Sequence, residues 1–183
     1  MSKRQDSLKD TSPASLEKEA MSYALKVLGV SPKSRKQLMD KMQSKGYQEG
    51  VIAQVIRKLE AAGYINDPLL AEGLVNRMAS SRKGFGKRKA AFELKRRGFD
   101  DAVSSAALES MTRDIEIESA QELARTVWER GKKLVLLKRR KKVFDALVRR
   151  GFDYETAQRS MAVLARECRA EEDSNEEWMK ETE

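Results

Sequence analysis

The stretch Leu94–Phe99, with the sequence Leu-Lys-Arg-Arg-Gly-Phe, decides the fold because a version of it occurs three times along the chain. Its counterparts are Met42–Tyr47 and Leu147–Phe152, in which a basic residue again precedes a glycine and an aromatic residue follows it. The three glycines are spaced by 52 and then 53 residues, and apolar residues stand four and eight positions before each of them. Matching apolar positions around a matching turn indicate one supersecondary unit used three times.

Within each unit, apolar residues recur at intervals of three and four, which is typical of amphipathic helices. Each proline follows a Ser or Asp that can cap a helix, so Pro13, Pro32 and Pro68 are expected to mark helix starts. Glycines that follow the apolar runs, at 29, 46, 63, 98, 131 and 151, are expected to end helices. The pattern predicts helices over about residues 13–29, 32–45, 50–62, 67–82, 87–97, 100–112, 114–130, 137–150 and 153–168.

The predicted fold is therefore all-α, an elongated array of three tandem three-helix repeats. One helix triplet buries little apolar surface by itself, so neighbouring triplets must stack. The repeats are expected at residues 13–62, 63–112 and 113–168, between a flexible N-terminal tail (1–12) and an acidic C-terminal tail (169–183).

The composition argues against catalysis. The chain has no histidine, which excludes Ser-His-Asp and Cys-His arrangements and His-containing zinc sites. Its single cysteine, Cys168, cannot close an intrachain disulfide or build a Cys-rich metal site, which suits a reducing compartment. The stretch Gly84–Lys87 lacks the spacing and the preceding strand of a nucleotide-binding loop. We therefore predict a protein that is not an enzyme and that needs no metal or cofactor.

The N-terminal residues have no apolar run behind them, and no segment is long and apolar enough to span a membrane. We therefore expect a cytoplasmic monomer without membrane contacts.

Charge is distributed unevenly along the chain. The net charge is +8, yet residues Glu167–Glu183 contain eight acids against two bases, which leaves +14 on the remainder. Such a basic body favours an anionic partner, with nucleic acid as the first candidate and an acidic protein surface as the alternative.

The cations are concentrated on the middle helix of each predicted unit. Nine basic residues and one acid lie between Arg77 and Arg97, and ten basic residues and one acid lie between Arg130 and Arg150. A weaker set in the first unit comprises Lys33, Arg35, Lys36, Lys41 and Lys45. Solubility does not require charges of one sign, whereas these clusters are almost purely cationic. We therefore interpret them as a surface for a polyanion. The predicted binding residues are Arg77, Arg82, Lys83, Gly84, Gly86, Lys87, Arg88, Lys89, Phe92, Lys95, Arg96, Arg97, Lys138, Arg139, Arg140, Lys141, Lys142, Arg149 and Arg150.

Phe92 departs from the repeat, because the equivalent positions are Asp40 and Asp145. A ring between Arg88 and Arg96 suits stacking on a base or anchoring a protein contact. Packing against an adjacent helix is the preferred interpretation.

The run Gly63–Asp67, followed by Leu70-Ala71, Arg77, Lys83–Gly86 and Arg97–Phe99, resembles the signature of the RecX regulatory proteins. The resemblance covers residues 20–165, with Asn66 where an acid is usual and Leu70 where an aromatic residue is common. Three tandem three-helix repeats are what this family implies.

The resemblance also implies a function, namely binding in the groove of the RecA recombinase filament and restraint of its ATPase and strand exchange. The protein would thereby regulate DNA repair, homologous recombination and the SOS response. Single-stranded DNA would be contacted directly or through the filament. Arg77, Gly84 and Gly86 are supported by both motif and charge, and the glycines are expected to serve backbone geometry.

Two alternatives belong to other classes. An autonomous DNA-binding regulator of the helix-turn-helix type predicts sequence preference on duplex DNA, but no helix groups the Asn, Gln and Arg residues that typically contact base edges. A nuclease-like or nucleotide-using enzyme is disfavoured by the missing histidine and nucleotide-binding loop.

Overall fold

The computed structural model describes the backbone of residues 12–81 and 83–181 and the side chains of residues 12–81 and 83–169. Within these residues the chain forms helices and turns without a strand, so the predicted all-α class with tandem helix triplets is confirmed. None of the described helices is long and apolar enough to cross a bilayer. The triplets are α1 (Pro13–Val30), α2 (Arg35–Ser44) and α3 (Glu49–Ala61); α4 (Asp67–Ala79), α5 (Lys87–Arg96) and α6 (Asp101–Glu109); and α7 (Arg113–Arg130), α8 (Leu136–Arg149) and α9 (Tyr154–Glu181).

Two of the three prolines lie in the first turn of a helix, as predicted. Pro13 is the first residue of α1, behind the capping hydroxyl of Ser12, and Pro68 is the second residue of α4. The prediction for Pro32 was wrong, because α2 begins only at Arg35. The Ser34 hydroxyl accepts from the backbone amide of Gln37 at 3.1 Å, and the Gln37 side chain accepts from the amide of Ser34 at 3.3 Å. This reciprocal capping box fixes the start of the helix.

The glycine of each repeated turn ends a helix, as predicted. Gly46, Gly98 and Gly151 have φ of 95°, 74° and 82°, a conformation that an L side chain adopts only at a cost. The prediction for Gly29 was wrong, since α1 continues through it to Val30. The last helix is also longer than predicted, because α9 extends to Glu181 and includes most of the segment expected to be a tail. Residues 1–11 of the predicted N-terminal tail lie outside the described residues.

The apolar positions before each repeated glycine form the core. The side chains four residues earlier (Met42, Leu94 and Leu147) and eight residues earlier (Leu38, Ala90 and Val143) are all fully buried. Because these positions lie two turns apart on one helix face, each middle helix turns this face inward and leaves its other faces for charged residues.

The chain divides into two compact units. The first extends to Leu70 and includes Arg97–Phe99, and its core lies between α1, α2 and α3. The second comprises Ala71–Arg96 and the residues from Asp100 onward, with α7, α8 and α9 packed on one another and α5 packed on α6. The residue boundaries proposed for the three repeats stay predictions.

Candidate polyanion-binding surface

Helix α8 carries a dense set of cations, and its buried apolar residues occupy one face. Val143, Ala146 and Leu147 are buried, and Asp145 is the only acid of the helix. The exposed cations on its remaining surface are Lys138, Arg140, Lys141, Lys142 and Arg149. The long aliphatic stems of these side chains can rest on the protein while their charged ends stay in water.

A cavity of about 540 Å³ lies between α7 and α8 in the second unit, and the charged groups among its described lining residues are cationic. Leu123, Thr126, Val127 and Ala146 line it together with five basic side chains, and no acidic side chain of the described residues contributes. We call it the basic cavity, and its cations are Lys83, Arg130, Lys142, Arg149 and Arg150. Cations from three separate segments thus converge on one concave surface, which concentrates positive potential where a phosphate can approach.

Arg150 is held in place by the loop that precedes α5. Its guanidinium lies 4.8 Å from the ring centroid of Phe85, a cation–π arrangement, and its carbonyl oxygen accepts from the amide of Gly86 at 2.9 Å. These contacts fasten the loop to the end of α8. Lys83, at the start of the loop, therefore joins Arg149 and Arg150 in lining the basic cavity.

Gly84 and Gly86 serve the packing of this loop and are buried. Gly84 has φ of 59°, and a Cβ there would lie 2.9 Å from the Cβ of Leu123. A Cβ on Gly86 would overlap the backbone of Gly151 and Phe152. These two predicted binding residues thus shape the backbone and offer little surface to a polyanion.

Helix α5 presents a second set of cations, but some are already paired. Arg96 bonds to the Glu93 carboxylate at 2.6 Å, and the Lys89 ammonium lies 3.4 Å from it. The hydrogen bond from Arg96 is the main reason that the pKa of Glu93 is lowered. Lys87, Arg88 and Lys95 are exposed and form no salt bridge with another described residue. These three cations, rather than Arg96, are the ones that α5 can offer to a partner.

Phe92 is exposed over 57% of its surface, so the preferred interpretation of packing against an adjacent helix was wrong. The ammonium of Lys89 lies 4.8 Å from its ring centroid. The ring therefore stands in solvent on a helix whose other exposed residues are mainly basic.

Three other predicted binding residues have structural contacts. Arg139 is half-buried, with its guanidinium 3.6 Å from the ring centroid of Trp128 and its Nε donating to the Trp128 carbonyl at 2.9 Å. Arg97 is also half-buried, and its carbonyl accepts from the hydroxyl of Ser34. Arg77 is exposed, and its Nε donates to the Gly73 carbonyl of the same helix at 3.1 Å. Arg82 lies outside the described residues.

The structure adds Arg130, which the predicted set of binding residues omitted. It ends α7 and lines the basic cavity, and its only signal in the sequence was its place at the edge of the second basic cluster.

In the first unit, by contrast, several cations already contact other residues of the protein. Arg35 pairs with Glu60 at 3.6 Å, and Lys33 bonds to Ser31. The side chain of Lys36 lies so close to Gly98 that a Cβ on this glycine would overlap it. The strongest candidate surface is therefore that of the second unit.

Two family models match the chain. The model of the first three-helix domain of RecX matches residues 20–59, and that of the third three-helix domain matches residues 114–161. The regulatory protein RecX of Mycobacterium sp. (strain JLS) is 33% identical over 145 residues, which are 77% of this chain and 79% of that protein. The chain therefore belongs to the RecX family.

Other RecX proteins agree with this assignment. The RecX regulatory protein of Clostridioides difficile (strain 630) is 31% identical over 146 residues, which are 80% of this chain and 68% of the relative. The crystal structure of RecX from Lactobacillus salivarius superposes with a TM-score of 0.73 at 26% identity, and the match covers 83% of this chain and 98% of that one. The resemblance seen in the sequence is thus confirmed, and it places the chain among regulatory proteins rather than in an enzyme family.

Proposed function

We propose that this RecX-family protein binds RecA recombinase filaments on single-stranded DNA and lowers their ATP hydrolysis and strand exchange, which restrains homologous recombination and DNA repair. The relatives are named regulatory proteins, which supports a regulatory role. The observation that carries the proposal is the basic cavity, where five cations meet and no acid lies among the lining residues that the structure describes.

The chemistry of the basic cavity suits a phosphate backbone. Each phosphate that a lysine or arginine neutralises releases condensed counterions, so several such contacts give binding that weakens steeply with salt. Cations held on α7, α8 and a fastened loop are arranged before binding, which reduces the entropy lost on association. Contacts to the phosphate backbone of a nucleic acid do not distinguish one base sequence from another.

The exposed ring of Phe92 favours unpaired DNA over duplex DNA. Bases in a duplex are already stacked on one another, whereas an unpaired base can stack on an aromatic side chain, with about 1–3 kcal/mol per base. A helix that combines Phe92 with Lys87, Arg88 and Lys95 offers both stacking and phosphate contacts. This combination supports direct contact with the single strand inside a filament.

ATP hydrolysis by RecA filaments on single-stranded DNA tests the proposal. The wild-type protein should lower the rate in a dose-dependent manner, and the double variant K142E/R149E should require a higher concentration for the same effect. A matched control is K18E/K26E, which reverses two exposed cations of α1 in the first unit. For two lost phosphate contacts, the slope of log affinity against log salt should fall by about 2.

An unchanged rate of hydrolysis with the wild-type protein would contradict the function. If K142E/R149E inhibits hydrolysis as strongly as the wild type, the proposed function stands, but the basic cavity has no part in it. Preference for one duplex sequence in footprinting would support the autonomous DNA-binding regulator instead.

A further inference from the structure

The start of α8 exposes apolar side chains where a charged surface is expected. Val135, Leu136 and Leu137 are consecutive and are 66%, 57% and 80% exposed. Single exposed apolar residues are common on proteins, but a contiguous apolar patch usually marks a site of interaction.

Leu137 belongs to a groove of about 850 Å³ between α8 and α9. Phe144, Met161 and Ala162 also line this apolar groove, and its polar lining residues are Arg140, Lys141 and Gln158. The Phe144 ring meets Tyr154 edge-on, with the ring centroids 5.8 Å apart, and the Tyr154 hydroxyl accepts from the Gln158 amide at 2.8 Å. The groove is therefore preformed by contacts within the second unit.

The apolar groove continues into a smaller cavity that shares Arg140 and Met161 with it. Trp128, Leu136, Leu164 and Ala165 line this second cavity, along with Arg169. The combined surface is mainly apolar, and the charged side chains among its described lining residues are all positive.

We propose that the apolar groove docks an element of a partner protein whose apolar side chains are flanked by carboxylates. The inference rests on the proposed function, within which the partner is a recombinase protomer of the filament. Arg140 and Lys141 lie beside the apolar lining, and no acid is among the described groove residues, so these two cations complement carboxylates at the edge of a docked apolar segment. A nucleic acid fits less well, because the apolar part of the lining (Leu137, Phe144, Met161 and Ala162) offers its phosphates and riboses no hydrogen bond.

The second unit thus has two chemically distinct contact surfaces. The basic cavity suits DNA phosphates, and the apolar groove suits protein. Once one surface is bound, the other binds intramolecularly and therefore at a high effective concentration. Attachment to a filament that presents protein and DNA together is thereby strengthened.

The variant Leu137→Ser tests the groove without changing the charge of the protein. Its matched control is Leu69→Ser, since Leu69 is likewise exposed, at 66%, and likewise lies in the first turn of its helix. Binding of fluorescently labelled protein is measured on RecA filaments and on naked single-stranded DNA. L137S should bind filaments about tenfold more weakly, as expected for the loss of one buried leucine contact, and should bind naked DNA unchanged. L69S should match the wild type on both.

Equal binding of filaments by L137S and wild type would overturn the groove as a docking site. An equal loss on naked DNA would assign the groove to nucleic acid instead. Light scattering that shows a wild-type dimer and an L137S monomer would assign it to a second copy of this chain. If the wild type itself fails to bind filaments, the proposed function and the recombinase partner are both refuted. This outcome differs from equal binding by L137S and wild type, which refutes the groove alone.

Discussion

The backbone amide of Gly86 donates a hydrogen bond to the carbonyl of Arg150 at 2.9 Å, and this bond joins the start of α5 to the end of α8. The amide of Arg88 also donates to the carbonyl of Gly151, at 3.3 Å. The first amides of a helix and the last carbonyls of another lack partners within their own helices, so an end-to-end contact satisfies both sets.

The first unit contains an equivalent junction. Ser34, which stands 52 residues before Gly86, donates through its hydroxyl to the carbonyl of Arg97. The amide of Arg35 donates to the Asp67 carboxylate at 2.9 Å, just as the amide of Lys87 donates to the Glu116 carboxylate at 2.7 Å. The repeated sequence therefore produces a repeated junction, which joins the start of α2 to Arg97 and the start of α5 to Arg150.

Replacing Gly86 with alanine should destabilise the protein. The added Cβ would overlap the backbone of Gly151 and Phe152, and overpacking of this kind costs about 1–3 kcal/mol. We expect a Tm several degrees lower by calorimetry. Gly73→Ala is the control, because a Cβ there meets nothing within 4 Å and alanine is the better residue inside a helix. A G86A protein as stable as G73A would show that the junction does not require glycine.

Replacing Glu93 with glutamine should strengthen binding to single-stranded DNA. The change releases Arg96 and Lys89 from their carboxylate partner and so adds to the positive charge that α5 offers. The salt dependence of affinity should steepen by about 1 in log–log slope. Glu60→Gln, which removes the acid beside Arg35 in the first unit, is the matched control. Equal gains in the two variants would indicate net charge alone, without a role for α5.

Replacing Phe92 with alanine should weaken binding to single-stranded DNA by about tenfold, because a stacking platform is lost. Phe92→Trp should retain affinity, and its fluorescence should be quenched when the strand binds. Duplex affinity should be unchanged. The control is Tyr64→Ala, which removes an aromatic residue that is 62% exposed in the first unit. A loss that is equal on single-stranded and duplex DNA would argue against stacking.

Asp153 should stabilise the protein in a pH-dependent manner. Its carboxylate accepts from the amide of Thr156 at 2.7 Å, and this bond is the main reason that its pKa is lowered. Because the pKa is lower in the folded state, the stabilisation is present above about pH 4, the unfolded value, and is lost as pH falls through the folded value. Asp153→Ala should therefore cost about 1 kcal/mol at neutral pH and progressively less in acid.

Urea denaturation at several pH values measures this difference. Asp100→Ala is the matched control, since Asp100 precedes α6 as its N-cap without a side-chain capping bond. A D153A deficit that persists unchanged at pH 2 would mean that the carboxylate charge is not its cause.

Much of the fold was predictable because its determinants are local or repeated. The turns at Gly46, Gly98 and Gly151 and the buried positions before them follow from apolar spacing and one residue type. The start of α2 was mispredicted because Pro32 is a generic signal, whereas the capping box of Ser34 and Gln37 depends on a reciprocal bond. The prediction for the end of α9 was wrong, because the charged residues that indicate a tail continue the helix to Glu181.

The candidate site was only partly predictable, since charge density in the sequence does not say which cations are available. The sequence does not distinguish Arg139 and Arg96 from the other cations, but Arg139 stacks on Trp128 and Arg96 pairs with Glu93. The sequence favours packing of Phe92 against an adjacent helix, whereas its side chain is exposed. The sequence pattern predicts no apolar groove at Leu137.

The sequence by itself determined that the chain forms helices in three triplets, which residues face the core, and that the body is basic. The spacing of apolar residues and the composition depend only on the order of residues along the chain, so they are known before the positions of the helices in space. Only the tertiary structure decided that Lys83 and Arg130 join Arg149 at one cavity and that Leu137 borders a groove. Those contacts depend on how each helix is rotated and on which ends meet, and packing between distant segments sets both.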